Sequence, residues 1–474
     1  MKYILSLAIT LTISAGALAQ GSTMTLDECV KYALENSSTT RNAALDEQIA
    51  EAKVKETIGI GLPQVNGNVN LTHNQKLRRF FSAYDPNSPF FGGAALPVNT
   101  GDVISAQNFF QLPSSGDAGV SVDQLIFNGS YLVGLKASRA YKDLAVKETK
   151  QSKEQVVENV TKAYYTALIN KQRLNLFETN IARLDTLLRN TRAMHQNGFA
   201  EKIDVDRIQV TYNNLVTDRD KFRNLQVLSI ELLKFQMEYP QDQSLDIAGD
   251  IAEISLESDF DNYSKDWSYT DRADYQVLLA NKKLQELNIR NNYAAAMPVL
   301  SAFLNLGVAT QSDNIGGLFV TNTEPSGDLP SSVGVDNWYS YSNFGLSLSI
   351  PIFSGMQRYQ RIQQEKLSMM KIENGERNLK SGIDLQIKQA ITNYENASNS
   401  LKAQEQNMEL AADIARVTKI KYEEGVGSNL EVVDAETSLK EAQINYYNSL
   451  YDALIAKVDL QKAYGKLIDN QSEN

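Results

Sequence analysis

Cysteine is nearly absent: Cys29 is the only one in 474 residues. No internal disulfide can form, so the chain must find its stability in packing. Histidine is almost as scarce. His73 and His195 lie far apart, and no His-Glu-x-x-His, paired-cysteine or Gly-x-Ser-x-Gly pattern occurs. Gly59-Ile60-Gly61 lacks the third glycine of a dinucleotide loop. No pair of carboxylates has a setting suited to acid–base work. These absences argue against an enzyme, and neither cofactor nor metal is expected. Long apolar runs are missing too. Beyond the first residues nothing approaches the roughly 18 apolar residues of a membrane-spanning helix. A place in a bilayer is then open only to a closed β-barrel, because hydrocarbon tolerates no unpaired strand edge. Cations are outnumbered, with 46 Lys and Arg against 57 Asp and Glu and a net charge of −11. No basic stripe is present to neutralise phosphates, so nucleic acid is not an expected partner.

The N-terminus reads as a processing signal. Lys2 supplies the charge, Tyr3 to Ile13 is mostly apolar, and Ala17-Leu18-Ala19 fits an A-x-A cleavage site. Residues 1–19 are therefore expected to be removed on export across an inner membrane. The rest of the chain is built twice. Leu62-Pro63-Gln64-Val65 opens an alternating stretch that ends at Phe127-Asn128-Gly129, and a long segment then runs to a break at Gly198. Met297-Pro298-Val299-Leu300 opens a second alternating stretch, closed by Phe353-Ser354-Gly355, and its long segment breaks at Gly425. A repeat defines the architectural unit. Here it spans 20–236 and again 271–474, joined by an acidic link over 237–270 containing Asp250, Glu253, Glu257, Asp259 and Asp261.

None of the ten prolines falls within 131–238 or 356–474. Proline breaks helix interiors, so these windows are free to be long helices. Apolar and small residues recur in them at alternating steps of three and four, as at 160, 163, 167, 170, 174, 177, 181, 184 and 188, and again from Val432 to Leu467. That is a coiled-coil seam, with alanines allowing close approach. Segments 131–197 and 356–424 would each span roughly 100 Å. Each folds back through a glycine turn into a shorter partner, about 203–236 and 429–466. Thr25-Leu26-Asp27-Glu28 reads as the capping box of an N-terminal helix, and Cys29 as a small packing residue.

The strands carry two distinct faces. Val65, Val69 and Leu71 alternate with Asn66, Asn68, Asn70 and Thr72. Phe344, Leu346, Leu348, Ile350 and Ile352 alternate with small or polar residues, and Leu300 to Val308 does likewise. Aliphatic residues outside and small polar ones inside suit a membrane barrel better than a soluble sandwich. Four strands cannot close a barrel, since the smallest have about eight. Two or three chains must share one, giving eight or twelve strands. The expected inserts, about 75–117 and 311–341, carry Phe80-Phe81, Phe90-Phe91, Phe109-Phe110 and Trp338-Tyr339. In an outer-membrane barrel the long loops face outward. The rival reading is a coiled-coil spacer or adhesin without a pore.

The turns are the most specific signal. The second reads Tyr422-Glu423-Glu424-Gly425-Val426-Gly427-Ser428, followed by Glu431 and Asp434, which share a helix face. The first reads His195-Gln196-Asn197-Gly198-Phe199, with Asp204 six beyond its glycine. Together with the Thr-Leu-Asp-Glu opening, the Leu-Pro strand start and the Phe-x-Gly strand ends, this resembles the TolC-type outer-membrane efflux protein family over nearly the whole mature chain. The resemblance implies a mainly α fold with a membrane β-barrel: four strands per protomer and a homotrimer with a twelve-stranded barrel in the outer membrane of a Gram-negative-type bacterium. A periplasmic helical tunnel would continue the barrel and close where its helices coil inward. Implied partners are outer-membrane lipid, a periplasmic adaptor and an inner-membrane pump of RND, ABC or MFS type. The implied function is passive exit in tripartite efflux or type I secretion. By the same resemblance Glu431 and Asp434 form an acidic pore constriction, Tyr422 and Asp204 a gate latch, and Gly198, Phe199, Gly425, Val426 and Gly427 the adaptor-docking turns. The family's latch also uses a basic residue where Gly427 stands, which leaves a Tyr422–Asp204 hydrogen bond as the expected remnant.

Overall fold

The computed structural model describes residues 22–88, 97–106, 110–249, 251, 265, 267–320 and 338–468. The expected signal segment, Phe90-Phe91, Phe109 and the acids named in the link lie outside the described residues. The chain divides into two compact units, one of 1–52, 139–286 and 366–474, the other of 53–138 and 287–365. In chain order come β1 (Ser22–Met24), α1 (Leu26–Asn36), α2 (Ser38–Ile60), β2 (Gln64–His73), β3 (Phe80–Ala83), β4 (Val103–Ala106), β5 (Ser114–Asn128), α3 (Gly129–Gln196) and α4 (Lys202–Met237). Then follow β6 (Leu245–Ile247), α5 (Ala273–Ala294), β7 (Val299–Ser312), β8 (Tyr339–Ser349), α6 (Gln357–Glu423) and α7 (Asn429–Ala463). The fold is mainly helical, a strand pair and a long helical hairpin used twice. No described helix is apolar enough to cross a membrane.

In the first unit the seams are buried as their spacing predicts. Val160, Ala163, Ala167, Phe177, Leu184 and Leu188 of α3 are closed off, and so are Val432, Ala435, Leu439, Ala453 and Leu460 of α7. The α1 helix starts on the expected capping box: the Glu28 amide donates to Thr25 Oγ1 and the Thr25 amide to Glu28 Oε2. That cap sets Cys29, Val30 and Ala33 against Val157, Leu168, Leu233 and Leu454 in one core. Burial pushes the Cys29 thiol up to about 12, as for an inert packing residue. One feature was not foreseen in the link: β6 lies there and pairs parallel with β1, Ser22 opposite Leu245.

In the second unit the four long strands form one antiparallel sheet in the order β2-β5-β7-β8. The strands outrun their expected limits, so the inserts shrink to 74–113 and 313–338. The extra pairs, such as Ser114 with Ser312 and Ala309 with Tyr339, are ladder contacts that alternation at the weakly patterned ends does not reveal. The first insert holds its own hairpin, β3 with β4. Both faces of β2 and β8 are almost wholly exposed, and among the described residues each is an edge strand with one neighbour.

Candidate channel-lining and gating site

Both turns end their helices in the same way. Gly198 has φ +82° and Gly425 φ +76°, in the left-handed region that only glycine enters freely. After the first, the Phe199 amide donates to Met194 O and the Gly198 amide to His195 O. After the second, Val426 donates to Lys421 O and Gly425 to Tyr422 O. This paired closure satisfies the last carbonyls of a helix. It also aims the following side chain outward: Phe199 is 80% exposed and Val426 79%. The two repeats thus present an apolar residue at corresponding positions. Gly427 answers a different need, because a Cβ there would stand 3.1 Å from Lys421 Cβ and from the Tyr422 amide. Close backbone approach, rather than charge, governs that position.

Glu431 and Asp434 lie in the first two turns of α7, which Ser428 caps through the Glu431 amide at 3.2 Å. Both are exposed, and neither carboxylate has a hydrogen-bond or ion-pair partner among the described residues. The same exposed row continues through Ser438, Glu441, Asn445, Asn448 and Asp452 without a cation. Tyr422 and Asp204 are not joined. Tyr422 is 8% exposed, belongs to the apolar cluster that includes Leu188, Ile208 and Val432, and its hydroxyl meets Thr191 Oγ1 at 3.4 Å. Asp204 caps its own helix by accepting the Glu201 amide. Among the described residues of the protomer Tyr422 and Asp204 share no hydrogen bond, and each has its own partner.

Sequence reasoning missed the charged tie between the repeats. Glu436 of α7 is 6% exposed and accepts from Arg183 of α3 at 2.8 Å. Asn180 donates to Gln443 at 2.9 Å one turn away, and Lys440 reaches Asp218 of α4 at 3.5 Å. Burial raises the Glu436 carboxyl above the ordinary carboxylate range, with Arg183 opposing.

The sheet sorts its faces by register. Val65, Val122, Leu304 and Phe344 stand in one cross-strand row, and Asn66, Ser121, Asn305 and Asn343 in the neighbouring row on the other face. Asn305 donates to Asn343 at 2.7 Å. On the polar face the Tyr341 ring lies across Gly307 and Gly119, and its hydroxyl donates to Asp117 at 2.8 Å. The glycines make room for the ring, an aromatic-over-glycine pairing. On the apolar face, Leu300 to Thr310 at about 3.4 Å per residue and a tilt of about 40° rises roughly 26 Å, close to the apolar band of a membrane barrel. No cluster of His, Cys, Asp and Glu among the described residues could hold a metal.

A two-faced sheet that feeds repeated helical hairpins is the fold of outer-membrane channels. The chain belongs to the outer membrane efflux protein family, whose model matches residues 29–215 and 288–466. It is similar to outer membrane protein TolC of Vibrio cholerae, 22% identical over 383 residues, which covers 75% of this chain and 79% of the relative. The outer membrane protein VceC from Vibrio cholerae has the same fold, with a TM-score of 0.67 and 13% identity over 93% of this chain and 96% of its own. So has the MtrE outer membrane channel of Neisseria gonorrhoeae, with a TM-score of 0.68 and 16% identity over 93% of this chain and 89% of its own.

Proposed function

We propose that this protein is the passive exit duct of a tripartite efflux or type I secretion system, working as a homotrimer. Three four-stranded sheets share a twelve-stranded barrel, and the helical hairpins line a tunnel on its periplasmic side. The observation that carries this reading is the sheet itself, apolar on one face, amide-rich on the other and open at both edges. Such a sheet meets the demands of a bilayer only when copies close it. Glu431 and Asp434 then form a ring of carboxylates at the tunnel's narrow end, attracting cations as acidic rings do in channels. Phe199 and Val426, beside Gly198 and Gly425–Gly427, are the contacts offered to a periplasmic adaptor, which couples the duct to an inner-membrane pump. The duct does no chemistry and uses no cofactor. Opening parts the α6–α7 ends from α3–α4, and Tyr422 with Thr191 and Asp204 at the α4 cap lie where that movement starts.

The test is conductance of the purified protein in a planar bilayer, with reversal potential under a salt gradient. Small cation-preferring events are expected. Glu431→Gln with Asp434→Asn should move the reversal potential toward zero without loss of assembly. Unchanged selectivity would remove both carboxylates from the conducting path. Protein that never inserts would favour a pore-free spacer.

A further inference from the structure

The outer end of the sheet carries a cationic and aromatic segment that the duct does not use. All the helices that flank the sheet join one end of it: α2 leads into β2, β5 into α3, α5 into β7 and β8 into α6. Both inserts therefore leave from the opposite end. On the apolar face the band stops at the row of Leu71, Gly116 and Thr310. The Trp338 indole lies over Gly116 there and donates to Leu318 O at 2.9 Å. An aromatic ring at this level marks a membrane–water boundary. Just past it, residues 74–84 hold Lys76, Arg78 and Arg79 and no acid. All three cations are exposed. Lys76 and Arg78 have no ion-pair or hydrogen-bond partner among the described residues, and Arg79 donates to Ser105 Oγ at 3.3 Å.

The hairpin that follows is apolar where it faces out. Phe81 and Val103 lie on one face of the β3–β4 pair, 68% and 75% exposed. Unpaired cations beside exposed apolar side chains, one short step beyond the apolar band, fit a surface that is anionic at the headgroups and greasy below. We propose that Lys76, Arg78 and Arg79, with Phe81 and Val103, form a binding site for the phosphorylated headgroup of an outer-leaflet lipid. The cations take the phosphates through charge-assisted hydrogen bonds, and Phe81 and Val103 enter the start of the acyl region. The proposal rests on the outer-membrane placement of the sheet. It is independent of the gate and of any periplasmic partner.

The assembled full-length protein is placed in phosphatidylcholine vesicles alone, with bis-phosphorylated lipid A, or with dephosphorylated lipid A. Lipid retained by the protein is then measured by native mass spectrometry. Retention of the phosphorylated form alone is expected. Lys76→Gln with Arg78→Gln should weaken it about tenfold or more, since the loss of even one charge-assisted bond is worth about a factor of ten. This pair spares the Arg79–Ser105 contact, so the hairpin keeps its anchor. Phe81→Ser should weaken retention without changing the preference for phosphate. Equal retention by parent and variant, or of phosphorylated and dephosphorylated lipid, would overturn the proposal. So would a changed conductance of the double variant in pure phosphatidylcholine with lipid retention unaltered, because the cations would then sit over the mouth of the pore. Failure of the parent to insert in any vesicle would overturn the membrane placement, and the site with it.

Discussion

Arg183→Met is the substitution whose cost can be worked out most closely. Its partner Glu436 is 6% exposed and sits beside Leu184 and Leu215. Without the guanidinium the carboxyl must either stay charged and unpaired or take up a proton. Protonating a carboxyl of ordinary pKa 4.5 at pH 7 costs about 3.4 kcal/mol, at 1.36 kcal/mol per pH unit. That is the ceiling on the electrostatic loss, and it agrees with the range for breaking a buried pair from one side. At pH 5 the same protonation costs only about 0.7 kcal/mol. The folded pKa of Glu436 already lies above its unfolded value. Its contribution to stability is thus fully present below the unfolded pKa and is lost as pH rises through the folded one. Arg183→Met raises the folded value further and extends that loss toward neutral pH. The parent already carries part of that cost, so the variant should lose up to about 3 kcal/mol at pH 7 and under about 1 kcal/mol at pH 5. Urea unfolding of the assembled protein, followed by far-UV circular dichroism at both pH values, measures this. Glu436→Gln placed on Arg183→Met should recover most of the pH 7 loss. A loss equal at both pH values would refute the reasoning and assign the effect to packing of the guanidinium stem.

Three further outcomes follow from the caps, the buried thiol and the turn glycines. Thr25→Ala removes the α1 cap and should cost about 1 kcal/mol, read as a lower unfolding midpoint with the denaturant slope unchanged. Cys29 should resist a thiol reagent at pH 8 in the folded protein and react at once in denaturant, since its thiol is buried and pushed up to about 12. Gly425→Ala places a Cβ at φ +76° and should cost about 1 to 2 kcal/mol, whereas Gly59→Ala, in a helix with open space around it, should be neutral or stabilising.

Much of the architecture was legible because its signals are local. The proline-free windows became α3 and α6 to within two residues, and the glycines at 198 and 425 are the helix ends. Alternation marks β2, β7 and β8, but the outer limits of the strands depend on partners distant in sequence, as with Ala309 and Tyr339 or Ser114 and Ser312. The candidate site was legible in part. Exposure of Glu431 and Asp434 follows from their place off the buried seam of Val432, Ala435 and Leu439. The actual partners of Tyr422 and Asp204 do not, since Thr191 lies on another helix and the Glu201 amide is a backbone group. Arg183 and Glu436 meet across two repeats, and nothing near either residue announces the other. Gly427 departs from the resemblance at a crowded position, where a side chain would press against Lys421 and the Tyr422 amide at 3.1 Å.

The open edges of β2 and β8 also bear on how the protein is made. Along each edge, amides and carbonyls that point away from the sheet have no strand partner among the described residues of the protomer. Each such group would cost several kcal/mol in hydrocarbon. A solitary chain therefore cannot enter a bilayer ahead of its companions. For the proposed trimer, biogenesis would have to gather the copies first, or seat each strand edge against a helper that is released as the next copy arrives. Until then the newly exported chain carries an exposed strand template, a hazard for aggregation that periplasmic chaperones would have to cover.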